Sequence, residues 1–345
     1  MSATELPTTR AEERAVPAAA KRPKLYKPMI VRLGDIPWLT PVRIFTIVAA
    51  TTGLVSWLLG TPIATALNTA YGLAIINYLV RRHQRLLTRL RPSIALDDAH
   101  FKYEWYALVH FRHVFIIGFG LLAPAALVVV NWNSVALRAI FSGHAFPPAY
   151  LWSFALALLD WILIMQVLVI IVSNALRFYR LGRHHTRIDL LDISVLAPYA
   201  FAGIAVLVLF AGSYTLVPIA AVDSMQLLMP ALRSLLVSLP VAMIGILLPI
   251  LGVHYNLRAT KAAEIARVTR AISGDRSALA GTRLADESAS VPVSNLVLYR
   301  QTVGAISEWP LDGVGAVRMV VIVIVPMLAW IAGALVDRIL DKVLG

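Results

Sequence analysis

Apolar runs of membrane-crossing length recur along this chain and constrain its fold more than any other feature. The hydrocarbon core of a bilayer is about 30 Å thick, so a helix needs about 20 mostly apolar residues to cross it. Residues 42–80 form an apolar stretch too long for one crossing, and Gly60-Thr61-Pro62 breaks it. We read it as a hairpin of two spans, 42–59 and 63–80. Further spans are expected at 114–130, 151–173, 193–214, 235–254 and 319–336. Hydrocarbon leaves backbone polar groups no partner outside the segment, so such spans must be helices. Pro124, Pro198, Pro240, Pro249 and Pro326 fall inside them, which neighbouring membrane helices tolerate. The expected fold class is all-α: a polytopic bundle of about seven transmembrane helices. The chain is 59% hydrophobic and 14% charged. Soluble domains are about half apolar and a quarter charged, so an ordinary water-soluble, fibrous or disordered chain is excluded.

The net charge of +12 would point a soluble protein towards nucleic acid. Its placement gives another reading. Of the 31 Lys and Arg residues, 27 fall in 1–43, 81–113, 175–192 and 255–318, all on one side of the expected spans. The other side holds Arg138, Arg233, Arg338 and Lys342. Lys and Arg accumulate on the cytoplasmic side of membrane proteins. The N-terminus is therefore expected in the cytoplasm and the C-terminus outside it. The basic loops then meet anionic lipid headgroups, and no nucleic-acid partner is needed. The Ala-, Leu-, Val- and Arg-rich vocabulary suits a bacterial inner membrane. Cysteine is absent, which removes disulfides, thiolate metal sites and Cys nucleophiles.

Between the spans lie four further segments. Residues 1–41 read as a basic cytoplasmic tail, and 1–28 lack apolar periodicity and are expected to be disordered. Glu5, Glu12 and Glu13, with no apolar run after them, argue against a signal peptide. Residues 94–113 mix charge with Phe101, Tyr103, Trp105, Tyr106 and Phe111, as an interfacial amphipathic helix does. In the cytoplasmic segment 255–318, Ile265, Val268, Ile272 and Leu279 continue the helical period past span 235–254, with Gly274 as its stop. A polar linker over 275–293 precedes a second helix, capped by Ser294, striped by Leu296, Tyr299, Val303 and Ile306, and ended by Pro310. The two can pair as a helical hairpin, and 255–309 offers a surface to a protein partner.

Asp160 is the sharpest chemical signal. It falls about 3 Å from the centre of span 151–173. An ionised carboxylate there costs about 2.5–3.5 kcal/mol on insertion scales, and no Lys or Arg lies deep in any span to pair with it. Two readings stand: a proton or cation site in a pathway, or a neutral Asp hydrogen-bonding two helices. Asn68 and Tyr71 share a face of span 63–80, whereas Gln166 projects about 240° round the helix from Asp160. These three complete the candidate pathway set, and Asn77 is a further amide at membrane depth.

Asp97, His100 and Glu104 repeat at i, i+3 and i+7, a spacing that could hold a divalent cation. The wet face of an amphipathic helix carries such residues anyway, so no metal or other cofactor is expected. His110, His113, His184 and His185 sit beside Arg residues, as headgroup-contacting side chains do. Trp309 and Pro310 precede the last span as an anchor or hinge, and Pro326 lies within it. Ala332, Gly333 and Ala334, like Gly118 and Gly120, are small enough for close helix approach, within the bundle or to a second copy in a homo-oligomer. Phosphate-loop, zinc-protease and nucleophile-elbow motifs are absent, so an enzyme is not expected. Three function classes follow. One is a channel or transporter using Asp160; another is a non-catalytic sensor or scaffold subunit using 255–309. The third, a membrane enzyme, would need Asp97, His100 and Glu104 to bind a metal.

Overall fold

The computed structural model describes residues 25–32, 36–112, 147–221, 228–280 and 291–310, with isolated positions 122, 124, 125, 282 and 321. The expected spans 114–130 and 319–336 lie outside the described residues apart from those positions, and Gly118, Gly120, Pro326 and Gly333 lie outside them entirely. In chain order the elements are β1 (Leu25–Tyr26), α1 (Met29–Arg32), α2 (Pro41–Leu58), α3 (Ile63–Arg89), α4 (Asp98–Ala107), β2 (Phe111–Arg112), α5 (Pro148–Arg180), α6 (Ala197–Ala221), α7 (Leu228–Ile272) and α8 (Val293–Ala305). Five candidate membrane helices occur among the described residues: Pro41–Leu58, Ile63–Arg89, Pro148–His185, Ile193–Phe210 and Pro240–Ile272.

Local chemistry sets their ends. Thr40 caps α2 by accepting from the Arg43 N–H at 3.3 Å, with Pro41 at the first helical position. Gly60 adopts φ 64 after Leu59 and turns the chain into α3. α3 runs to Arg89, beyond the expected end at residue 80, because Arg and Leu are good helix formers whether or not lipid surrounds them. α5 likewise exceeds 151–173 and closes in a π-helical turn, Leu181–His185. α7 has 45 residues, about 68 Å of helix, and passes Pro240 and Pro249 without stopping. Gly274, at φ 109, follows its end.

Some expectations need correction. The tail expected to be disordered over 1–28 contributes Leu25 and Tyr26 to an antiparallel pair with Arg112 and Phe111. Val31, just beyond it, is buried in the main core. Apart from the two-residue strand pair the elements of the described residues are helical, as an all-α fold requires. The interfacial helix expected over 94–113 shrinks to α4, because Ile94 bridges to Thr186 and Phe111 joins β2. Ser294 does not cap α8, which starts at Val293 after Pro292 without a side-chain cap. Pro310 does not end it either: α8 stops at Ala305, and Lys261 Nζ donates to the Ile306 carbonyl at 2.7 Å.

The stripes of α7 and α8 do meet. Val268, Ala271, Leu279, Val291 and Leu296 form one cluster with Ile272 and Tyr299 packed on it. Leu190, Leu257 and Val303 form another with Ile265 and Ile306. At the membrane helices, glycine permits close approach. A Cβ on Gly252 of α7 would lie 2.3 Å from the Tyr179 carbonyl oxygen of α5, and one on Gly203 of α6 would lie 2.8 Å from that of Ile246.

α3 and α5 run parallel. Their paired residues keep a nearly constant offset: 91 positions for Thr69 with Asp160 and for His83 with Asn174. Gly72 faces Leu163 at the same offset. Down this seam Thr69, Ile76 and His83 recur every seven residues, as do Asp160, Val167 and Asn174. That is the repeat of a coiled coil. Ile76, Leu79, Leu163, Val167 and Ile170 all belong to the main apolar core.

Candidate functional site

Asp160 lies in the upper part of this seam, between two neutral donors from α3. Asn68 Nδ2 donates to Oδ2 at 3.0 Å, and the Thr69 hydroxyl faces Oδ1 at 2.5 Å. Thr69 is fully buried, while Asp160 is partly so. Thr69 Oγ1 also lies 3.0 Å from the carbonyl oxygen of Thr65, one turn back. Among the described residues, no Lys, Arg or His forms an ion pair with Asp160. The site is a carboxyl dressed by an amide and a hydroxyl in apolar surroundings.

The other proposed pathway residues go elsewhere. Tyr71, although on the face of Asn68, turns to α6 and donates to the carbonyls of Val208 and Leu209, each at 3.0 Å. Its ring occupies the space that a side chain on Gly212 would fill. Gln166 does not join Asp160, and its Oε1 is buried without a hydrogen-bond partner among the described residues. Asn77 buries both amide atoms in the same condition.

Two features of the site escaped the sequence reading. Thr69 contributes its shortest hydrogen bond. Lower in the seam, Asn174 Nδ2 donates to His83 Nδ1 at 3.1 Å, both side chains being buried. The signal for both was the seven-residue spacing, which would have matched Thr69 and His83 to Asp160 and Asn174. At the end of the seam beside the α2–α3 turn, Trp152 Nε1 donates to the buried Ser56 hydroxyl at 2.9 Å and ties α5 to α2.

At the opposite end of the bundle, the basic termini gather. Arg177 of α5 pairs with Glu104 of α4 at 2.9 Å, and Arg91 pairs with Asp98 at 2.5 Å. Asn256 of α7 donates to the carbonyls of Gly182 and Thr186, each at 2.9 Å. The Glu104–Arg177 bond divides the stripe Asp97, His100 and Glu104: two members stay on each other, while the third is held by another helix. No cluster of three or more metal-ligating side chains occurs among the described residues. The His100 hydrogen bond holds the exposed Asp97 carboxyl below its ordinary range. His110 stacks on Tyr106 with ring centroids 3.4 Å apart.

Trp309 stacks on His254 of α7 at 4.3 Å, and His254 Nδ1 donates to the Glu308 carbonyl at 2.8 Å. Lys261 adds a 3.9 Å ion pair with Glu308, so Trp309 and the buried Pro310 are pinned to α7. At the same end a cavity of about 540 Å³ is lined by Arg187, Asp189, Asp192, Glu264, Arg267 and Tyr299, among others. Its cations and anions are interleaved, and Tyr299 donates to Glu264 at 2.9 Å. Comparison with known protein families, curated proteins and solved structures finds no match to this chain.

Proposed function

We propose that this chain is a multi-pass membrane protein that moves protons, cations or a small solute past Asp160. The carrying observation is a carboxyl deep in an apolar bundle, met by Asn68 and Thr69 and by no fixed cation among the described residues. A carboxylate at the centre of a membrane helix costs about 2.5–3.5 kcal/mol to insert. Hydrogen bonds between membrane helices average only about 0.6 kcal/mol each. Two such bonds do not offset that cost for an ionised carboxyl, whereas a bound proton or mobile cation removes the uncompensated charge. On this reading the basic ends of α3 and α5 face the cytoplasm of a bacterial cell, against anionic headgroups, and the N-terminus lies on that side. No catalytic chemistry is assigned. Flux of protons, sodium and potassium in liposomes tests the proposal, with loss in Asp160→Asn expected. Unchanged flux in a correctly inserted variant would overturn the assignment.

A second reading, a sensor or scaffold subunit binding a partner through 255–309, draws on α8. Val293, Val297 and Leu298 are 48%, 38% and 64% exposed there, although Leu296 and Val303 bury the opposite face. Deletion of 255–309 should then abolish binding of a co-purifying subunit while insertion persists.

A further inference from the structure

We infer that the species Asp160 binds is a proton, and that it exchanges towards the α2–α3 turn along Thr69, Thr65 and Thr61. This rests on the reading of Asp160 as an exchanging site.

The donor set argues against a metal cation. Asn68 presents Nδ2, an N–H donor, to Asp160 Oδ2. Among the described residues, the oxygens left at the site are those of Asp160, the Thr69 hydroxyl and the Thr65 carbonyl, fewer than the six or more that hard cations gather. A proton needs one oxygen. Counting hydrogens agrees. Thr69 has a single hydroxyl hydrogen but two oxygens in range, Thr65 O at 3.0 Å and Asp160 Oδ1 at 2.5 Å. With Asp160 ionised, the hydroxyl donates to Oδ1 and leaves the Thr65 carbonyl. With Asp160 protonated, the acid O–H donates to Thr69, which donates to Thr65. Both states use the same heavy-atom positions, so gain or loss of a proton requires only rotation of a hydroxyl.

The direction follows from what lies above and below. Thr65 and Thr69 stand four residues apart on α3, about 6 Å of helix rise, a gap that one water bridges, and Thr61 lies in the turn just before that helix. Thr61 continues the polar line by donating to the Ser56 carbonyl at 3.2 Å. Towards the basic end, Leu163, Ile76, Val167, Leu79 and Ile170 close the seam, each under a tenth exposed. They separate Asp160 from Asn174 by about 21 Å of helix. Among the described residues, the titratable groups on the helices packed around this part of the seam are few, and α6, packed on α3, carries Tyr199 and Tyr214. α3 carries Tyr71 and Tyr78 above its basic run, with buried His83 below; α5 carries Tyr150 at its start; α2 carries Arg43 at its far first turn.

Carbodiimide labelling of the full chain in phosphatidylethanolamine–phosphatidylglycerol liposomes tests this. Dicyclohexylcarbodiimide takes the acid proton on a nitrogen and the carboxyl oxygen on its central carbon, so it reads protonated Asp160. Labelling should rise as pH falls, vanish in Asp160→Asn, and stay the same in sodium, potassium or choline salts. Protection by sodium or potassium would overturn the proton assignment. In vesicles of one orientation, labelling should follow the pH on the side of the α2–α3 turn; dependence on the basic side overturns the direction. Thr69→Val should slow proton flux by about ten- to hundredfold, the worth of one hydrogen bond to a charged group, and Thr69→Ser should restore it. Equal flux in both overturns the relay, and this pair serves if Asp160→Asn fails to insert. Sodium or potassium flux that needs Asp160 keeps the transport reading and sinks the proton. Labelling that follows pH with no flux of any ion does the reverse.

Discussion

Replacing Gly252 by Ala tests the α5–α7 junction that holds the lower end of the seam. A Cβ at Gly252 would stand 2.3 Å from the Tyr179 carbonyl oxygen, 2.8 Å from its Cα and 2.9 Å from its carbonyl carbon. Ordinary heavy-atom contacts between carbons lie at about 3.5–4.0 Å, so the helices must part by roughly 1 Å. The obstruction is backbone, and a rotamer change cannot relieve it. From the other side, a Cβ on Gly182 would stand 2.9 Å from the Val253 nitrogen, so sliding along the junction offers no escape. Overpacking costs about 1–3 kcal/mol, and rigid backbone places this site at the upper end. Ala gains about 1 kcal/mol over Gly in helix propensity, which leaves a net loss of about 2 kcal/mol. Gly304→Ala on α8 is the control, because nothing lies within 4 Å of a Cβ there. It should be neutral or up to about 1 kcal/mol more stable. Unfolding of both variants in mixed micelles by added dodecyl sulfate, followed by far-UV circular dichroism, gives the comparison. Equal stabilities would refute the close approach and the reasoning built on it.

Trp152→Phe should cost about 0.5–1.5 kcal/mol by removing the hydrogen bond to Ser56. Ser56→Ala should show the same loss, and the double variant less than the sum; additive losses would mean the two side chains do not interact. For Asp97, the lowered folded value means that its pairing with His100 supports the native state above the ordinary carboxylate range and is lost as pH falls through the lowered value. His100→Ala should return the Asp97 carboxyl, followed by NMR titration, up towards the ordinary carboxylate range, and an unmoved midpoint would contradict the cause.

The hairpin α2–α3 was legible in sequence because its physics is local: apolar length and a Gly-Thr-Pro break. The continuation of α7 was legible for the same reason, since Ile265, Val268 and Ile272 keep the period of the span above. What failed depended on other segments. Arg177 arrives from α5 to take Glu104 out of the stripe with Asp97 and His100. Thr186 comes from beyond the α5 turn to straighten Ile94. Tyr71 and Asn68 share a face of α3, but α5 and α6 approach that helix from different sides and divide them.

The seam also explains why sequence could not separate the two readings of Asp160. Slipping α5 by one heptad would set Asp160 against Ile76 and leave His83 facing Val167. Both matched polar layers would be lost in apolar surroundings, where an unmet polar group costs most. Thr69–Asp160 and His83–Asn174 therefore fix the register of two parallel helices, as a buried polar position does in a coiled coil. The bonds that hold Asp160 in place as glue are the bonds that would hold it as a site. Asn at this position offers its oxygen to Thr69 and its NH2 to Asn68, whose own amide turns over to accept it, so it keeps the register but carries no exchangeable acid proton. Asp160→Asn should thus leave the fold within about 1 kcal/mol of the parent while abolishing flux, a division that glue alone does not predict.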